Sequence, residues 1–168
     1  MTELSLSANL AWQLAAQEAA ASRSRFIEPE HILIGICSLE KLLMPEAEAE
    51  LDPPSRQALQ SEQEAIEDIL RGFELDPTQL RRSVRKELGE GKYTPTEKIM
   101  HRSPACKRAF ERASALAVSA LEVTCIHLLA AVLEQPPPAI TSVLEAAGVK
   151  PSDLREHAHQ RLKVLEGG

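Results

Sequence analysis

Apolar positions recur along the chain at helical spacing, and punctuating prolines and glycines divide them into segments. Residues 7–22, SANLAWQLAAQEAAAS, hold no Gly or Pro and place Leu10, Leu14 and Ala21 in helical register, which predicts a helix with Ser7 as its N-cap. Pro29 suits the first turn of a second helix running to about Leu43, with the nearly unbroken apolar stretch ILIGIC at 32–37. A polar, acidic stretch with three prolines follows, and from Ser55 strong helix formers extend into EAIEDILRGF. Pro77 begins PTQLRRSVRKEL, which Gly89 terminates. Residues 89–102, GEGKYTPTEKIMHR, read as a linker. Beyond it the pattern predicts helices over 104–120, 124–135, 139–147 and 151–165. No segment alternates convincingly with period two, so the expected fold class is all-α.

The second half repeats the first. His31 aligns with His127 at an offset of 96, which also brings Ser7 to Ser103 and Leu33 to Leu129. Pro77 aligns with Pro151 at an offset of 74, which brings Ile66, Leu70, Leu80, Arg81 and Leu88 to Ile140, Leu144, Leu154, Arg155 and Leu162. The two offsets, 96 and 74, imply an insertion of 22 residues in the first copy, within about 41–64, where the composition turns acidic. Each copy is a four-helix unit, repeat 1 at about 5–90 and repeat 2 at about 103–165. Neither unit can bury its apolar face alone, so the two are expected to pack as one pseudo-symmetric domain.

At 168 residues the chain can bury roughly 70% of its unfolded surface without disulfides or metals. Aromatics are scarce, so Leu, Ile, Val and Ala must build the core, which favours closely packed helices. The net charge of −6 disfavours a nucleic-acid partner. No apolar run approaches the ~20 residues of a membrane span, and MTELSLSANL lacks the basic start of a signal peptide. Cys37, Cys106 and Cys125 are odd in number and lie in apolar helical contexts, as reduced core residues of a cytoplasmic protein.

Candidate chemistry is sparse. His31 and His127 each open an apolar helix, but no CxxC or HxxxH spacing supports a metal, and a buried histidine bonding the partner helix or a nearby carbonyl is the plainer reading. Glu30 suits the helix dipole of a first turn and is also a candidate ligand contact. Arg81, Arg82, Arg85 and Lys86 form a basic stripe late in a helix, read as a solvated face or a dock for an acidic segment. His157 and His159 are two apart and point to different sides of a helix. Gly35 can allow close approach to the first helix. Trp12 aligns with Arg108 and is expected partly exposed, as a peptide anchor or a lid over the core. The candidate partner-binding residues are Glu30, Trp12, Arg81 and Arg85; no catalytic, cofactor-binding or metal-ligating residue is expected.

Ile27, Glu30, His31, Ile32 and Leu33, then Ser103, Pro104, Lys107, Arg108, Glu111 and Ala113, then Val123, His127, Leu128 and Leu129, and finally VLEAAGVKPSDLR at 143–155 follow one another in an order that resembles the double Clp N-terminal domain of Hsp100/Clp AAA+ unfoldases. The resemblance covers nearly the whole chain apart from the insertion. It implies a segment that docks unfolded substrates or adaptor proteins and passes them to a hexameric ATPase ring. ATP and magnesium would belong to the full-length parent, since the chain has no GxxxxGK[ST] phosphate loop. The isolated domain is expected to be a monomer without a membrane partner, and the closing LEGG reads as the start of a linker. A stand-alone relative that regulates assembly of a Clp ring or protease is the alternative. Where some members pair two glutamates to bind phosphorylated arginine, this chain keeps Glu30 and has Ile126 in the second signature.

Overall fold

A computed structural model describes residues 3–45, 51–95 and 99–167. The described residues form eight α-helices: α1 (Leu6–Ala21), α2 (Pro29–Ile36), α3 (Pro53–Arg71), α4 (Pro77–Leu88), α5 (Pro104–Leu116), α6 (Cys125–Glu134), α7 (Pro138–Ala146) and α8 (Pro151–Gly167). Extended pairing among them is limited to two isolated parallel bridges, Leu4 with Val123 and Ile27 with Arg102. The all-α expectation therefore holds.

Those bridges join the halves. Each half lends the segment before its first helix to the segment before the other half's second helix. Ser5 N–H donates to the Val123 carbonyl at 2.9 Å and Val123 N–H to the Glu3 carbonyl at 2.8 Å; Ile27 N–H donates to the His101 carbonyl at 3.0 Å and Ser103 N–H to the Ile27 carbonyl at 3.1 Å. Backbone groups that helices leave unpaired are satisfied across the pseudo-twofold axis. Beneath them one apolar cluster runs through both halves, from Ala8 to Leu162.

The caps correct the register of the first helices. Ser5, not Ser7, is the N-cap of α1: its Oγ accepts from Ala8 N–H at 3.1 Å, as Ser103 Oγ accepts from Cys106 N–H at 3.0 Å. The offset between α1 and α5 is thus 98, and Ala8, Ala11, Ala15 and Ala19 fall opposite Cys106, Ala109, Ala113 and Ala117, all buried. Ser7 is fully buried instead, and its Oγ has no hydrogen-bond partner among the described residues. The 96 offset resumes at the second helices, where Ile27 and Val123 hold matching bridges. The stripe of small residues lets the second helix of each half lie close. Gly35 shows how close: a Cβ there would sit 2.2 Å from the Ala11 carbonyl oxygen.

At the other end of each half the 74 offset holds bond for bond. Leu75 and Val149 N–H donate to the Leu70 and Leu144 carbonyls, both at 2.9 Å. The residues before them, Glu74 and Gly148, both take positive φ, 59° and 77°. Glycine adopts this conformation freely, whereas Glu74 holds it at a cost of roughly 1–2 kcal/mol.

Two segments differ from expectation. α2 stops at Ile36 rather than near Leu43; Ser38 Oγ donates back to the Ile34 carbonyl at 2.6 Å, and the chain tightens into a 3-10 turn over Leu39–Leu43. α5 stops at Leu116, four residues short of the expected end at 120. The acidic residues 46–50 lie outside the described residues; the insertion's second part is helical. α3 runs from Pro53 to Arg71, as the helix formers from Ser55 onward suggest, and fully buried Leu59 anchors its first half. The first part of the linker is pinned to the end of α1: Gly91 N–H donates to the Ser22 carbonyl at 2.8 Å and Tyr93 N–H to the Arg23 carbonyl at 3.1 Å.

Candidate functional site

The two histidines turn out to be caps. His31 Nδ1 accepts from Glu28 N–H at 2.9 Å, and His127 Nδ1 accepts from Thr124 N–H at 3.0 Å. Each ring thus satisfies the N-cap amide of its own helix, the part a Glu or Gln plays in a capping box. The Nδ1 bond of each ring is local, to the N-cap amide three residues earlier. An accepting Nδ1 carries no proton, so the neutral ring has its proton on Nε2. Both rings are 2% exposed, and burial lowers the His31 pKa to about 4.

Glu30 is not a surface charge. It is 8% exposed, and its Oε1 has no hydrogen-bond partner among the described residues. Burial, the largest influence, pushes its pKa up. Its counterpart Ile126 is buried more deeply, at 2% exposure. The carboxylate at the start of α6 comes instead from Glu62 of α3, whose Oε1 accepts from Cys125 N–H at 3.0 Å and from Ser5 Oγ at 3.2 Å. The sequence reading missed Glu62, because 63 residues separate it from the amide it serves and no local pattern links them.

The basic stripe splits. Arg81 is buried at 5% exposure, with Nε and one terminal nitrogen lacking partners among the described residues, so it is not part of a solvated face. Arg85 is committed to Glu18 of α1 through two bonds, 2.9 and 2.6 Å, which raise its pKa. It ties α4 to α1. Arg82 and Lys86 are exposed. The thiols are inert at neutral pH: burial pushes Cys37 and Cys106 up to about 12 and Cys125 well above its ordinary value. His157 and His159 go to separate partners, the Phe73 ring and the Glu134 carboxylate. Among the described residues no group of three or more His, Cys, Asp or Glu is placed to hold a metal ion.

Trp12 is where two halves meet. With the register at 98, its counterpart is Phe110, not Arg108, and the two rings touch edge to face, 5.1 Å between centroids at 84°. Leu4 and Arg102 are counterparts too, and the Arg102 guanidinium lies 5.1 Å from the centre of the Phe110 ring. Together with Lys107, Glu111 and Ser114 these residues line a cleft of about 420 Å³. It straddles the pseudo-twofold axis, with an aromatic floor, half-buried, and a charged rim. Such a cleft suits an apolar side chain of an extended peptide whose backbone and polar groups stay at the rim. Of the four candidate residues only Trp12 lines it; Glu30 and Arg81 are interior and Arg85 is paired.

No protein-family model matches the chain, and no curated protein matches it in sequence. Solved structures do match. The N-terminal domain of Hsp104 from Candida albicans superposes with a TM-score of 0.66 at 14% identity, covering 93% of this chain and 89% of that one. The N-terminal domain of the caseinolytic-protease-associated chaperone ClpD from Arabidopsis thaliana superposes with a TM-score of 0.62 at 18% identity, covering 96% of this chain and 98% of that one. The chain therefore has the fold of a Clp N-terminal domain, two helical repeats packed about one core.

Proposed function

We propose that this chain is a docking module that recruits unfolded polypeptides or adaptor proteins to an Hsp100/Clp-type ATPase, and that the Trp12–Phe110 cleft is its contact with them. The observation that carries this reading is an aromatic pair half-exposed in a cleft, on a fold shared with the N-terminal domains of two chaperones. A core so poor in aromatics spends its only Trp and one of three Phe at the surface where the repeats join. Aromatic anchors in partly dry clefts are the usual strong points of protein interfaces. On this reading the segment itself catalyses nothing; ATP hydrolysis, with its magnesium, belongs to the parent ring. Among the described residues no helix is long and apolar enough to cross a membrane.

The test is retention of a reduced, alkylated polypeptide on the immobilised chain. We expect saturable retention that weakens about tenfold in Trp12→Ala, the loss of one good anchor at about 1.4 kcal/mol per decade. Phe110→Leu, which keeps apolar volume but removes the ring pair, should weaken it less. Absence of retention at high concentration would end the docking reading.

A further inference from the structure

Repeat 1 fills a site that repeat 2 leaves open. After α2, the 3-10 turn Leu39–Leu43 lies against α1 and α3. It buries Leu39, half-buries Leu42 and Leu43, and presents Glu40 to α4, where Thr78 Oγ1 donates to the carboxylate at 2.6 Å. Arg81 of the same helix is buried. In repeat 2 no such turn exists: α6 ends at Glu134, and Gln135 to Pro137 lead directly into α7. The corresponding region is a cleft of about 630 Å³. Its floor is Ala109, Ala131 and Val132, the counterparts of Ala11, Gly35 and Ile36. Arg155, counterpart of the buried Arg81, stands partly exposed in its wall.

The cleft is also cationic. Arg108 and Arg112 replace Leu10 and Leu14 of the first repeat. Arg108, Arg112 and Arg155 face a single carboxylate, Glu134, which Arg112 holds at 2.5 and 3.1 Å and His159 approaches at 3.3 Å. Three arginines against one carboxylate give the lining of this cleft an excess of positive charge, on a chain of net charge −6. An occupant must therefore bring an apolar side chain for the floor and carboxylates for the wall. The turn over Leu39–Leu43, three leucines with Glu40 turned to α4 and Lys41 exposed, is the precedent inside the same molecule for a short segment seated at the matching position.

We propose that the repeat 2 cleft is a second docking site, which takes a short leucine- and glutamate-bearing turn from a partner polypeptide as repeat 1 takes its own. This rests on the docking reading above but concerns a different surface, so the two fail separately. Arginine pairs with carboxylates in fixed forked geometry, which gives such a site selectivity for acidic over basic segments.

The probe is a capped pentapeptide of three leucines and two glutamates, titrated into the isotopically labelled full chain and followed by amide shifts. We expect saturable shifts at Ala131 and Val132, at least tenfold weaker binding in Arg108→Glu, and weaker binding in Arg155→Gln. Arg108 is exposed on α5, so its replacement leaves the fold intact, as circular dichroism will report. Trp12 fluorescence should not change with this probe, which separates it from the cleft on the axis. Equal binding of the analogue with lysine for glutamate, indifference to Arg108→Glu, or no saturable shift at Ala131 and Val132 would each overturn the proposal.

Discussion

The starts of α2 and α6 share one plan and are finished differently. Each begins with an extended residue bridged to the other half, then a cap, then a histidine whose Nδ1 closes the cap. At the next level they diverge. α2 carries a buried glutamate of its own, Glu30, with an unpartnered oxygen, whereas α6 has Ile126 there and borrows Glu62 from α3. α2 is also pressed onto α1 through Gly35, where α6 keeps the methyl of Ala131. The histidine cap common to the halves is local and closes within one turn. What differs is supplied from elsewhere, by the longer α3 and by how closely the helices approach.

The largest expected break in this comparison is Gly35→Ala. A Cβ at 2.2 Å from backbone oxygen cannot be relieved by rotating a side chain, so α1 and α2 must separate, at about 3 kcal/mol or more. The reciprocal change Ala131→Gly should cost only about 1 kcal/mol, the propensity difference. Urea denaturation of both variants measures the contrast.

Acid should strike the His31 cap next. The His31 pKa falls to about 4 in the folded chain, because burial disfavours the charged ring, against roughly 6.5 unfolded. Between those values the unfolded state binds more protons, so stability is fully present above pH ~6.5 and is lost as pH falls through about 4, by about 3 kcal/mol. Glu30 works the other way: its raised pKa means the fold favours the protonated acid, so acidification relieves it. His31→Gln keeps an acceptor for the Glu28 amide without the titration. Its stability should therefore fall less between pH 6.5 and 4 than that of the parent, as read from melts across that range.

Removing the borrowed carboxylate is a smaller effect. Glu62→Ala leaves Cys125 N–H and Ser5 Oγ without their acceptor and should cost about 2 kcal/mol, while Glu62→Gln keeps an oxygen there and should cost about half of that. Smallest is the replacement that makes α2 like α6. Glu30→Ile exchanges a buried, partly unsatisfied carboxyl for the residue that repeat 2 uses, and should raise stability at pH 7 by about 1 kcal/mol in thermal unfolding. A loss of stability would mean that the Glu30 carboxyl holds a partner of its own.

Helix existence, the repeat and the insertion were legible because each rests on a local period or a punctuating proline. The close approach at Gly35 was legible too, since a glycine within an apolar helical run has few other uses. The register of α1 against α5 was not, because both Ser5 and Ser7 are acceptable caps by type and only the bridges to Val123 and Ile27 choose between them. That two-residue error hid the pairing of Trp12 with Phe110. Arg81 could not be told from Arg82 and Arg85 by spacing alone, since which face of α4 turns inward depends on how α4 packs against α2 and α7. Glu62 left no sequence signal because its partners lie on a different element.

The chain has one tryptophan, so Trp12 emission reports on the axis cleft without interference. Titration of a reduced, alkylated polypeptide should shift that emission saturably, with the same dissociation constant as retention on the immobilised chain. Saturable retention with Trp12 emission unchanged would contradict the claim that binding occurs where the two repeats meet.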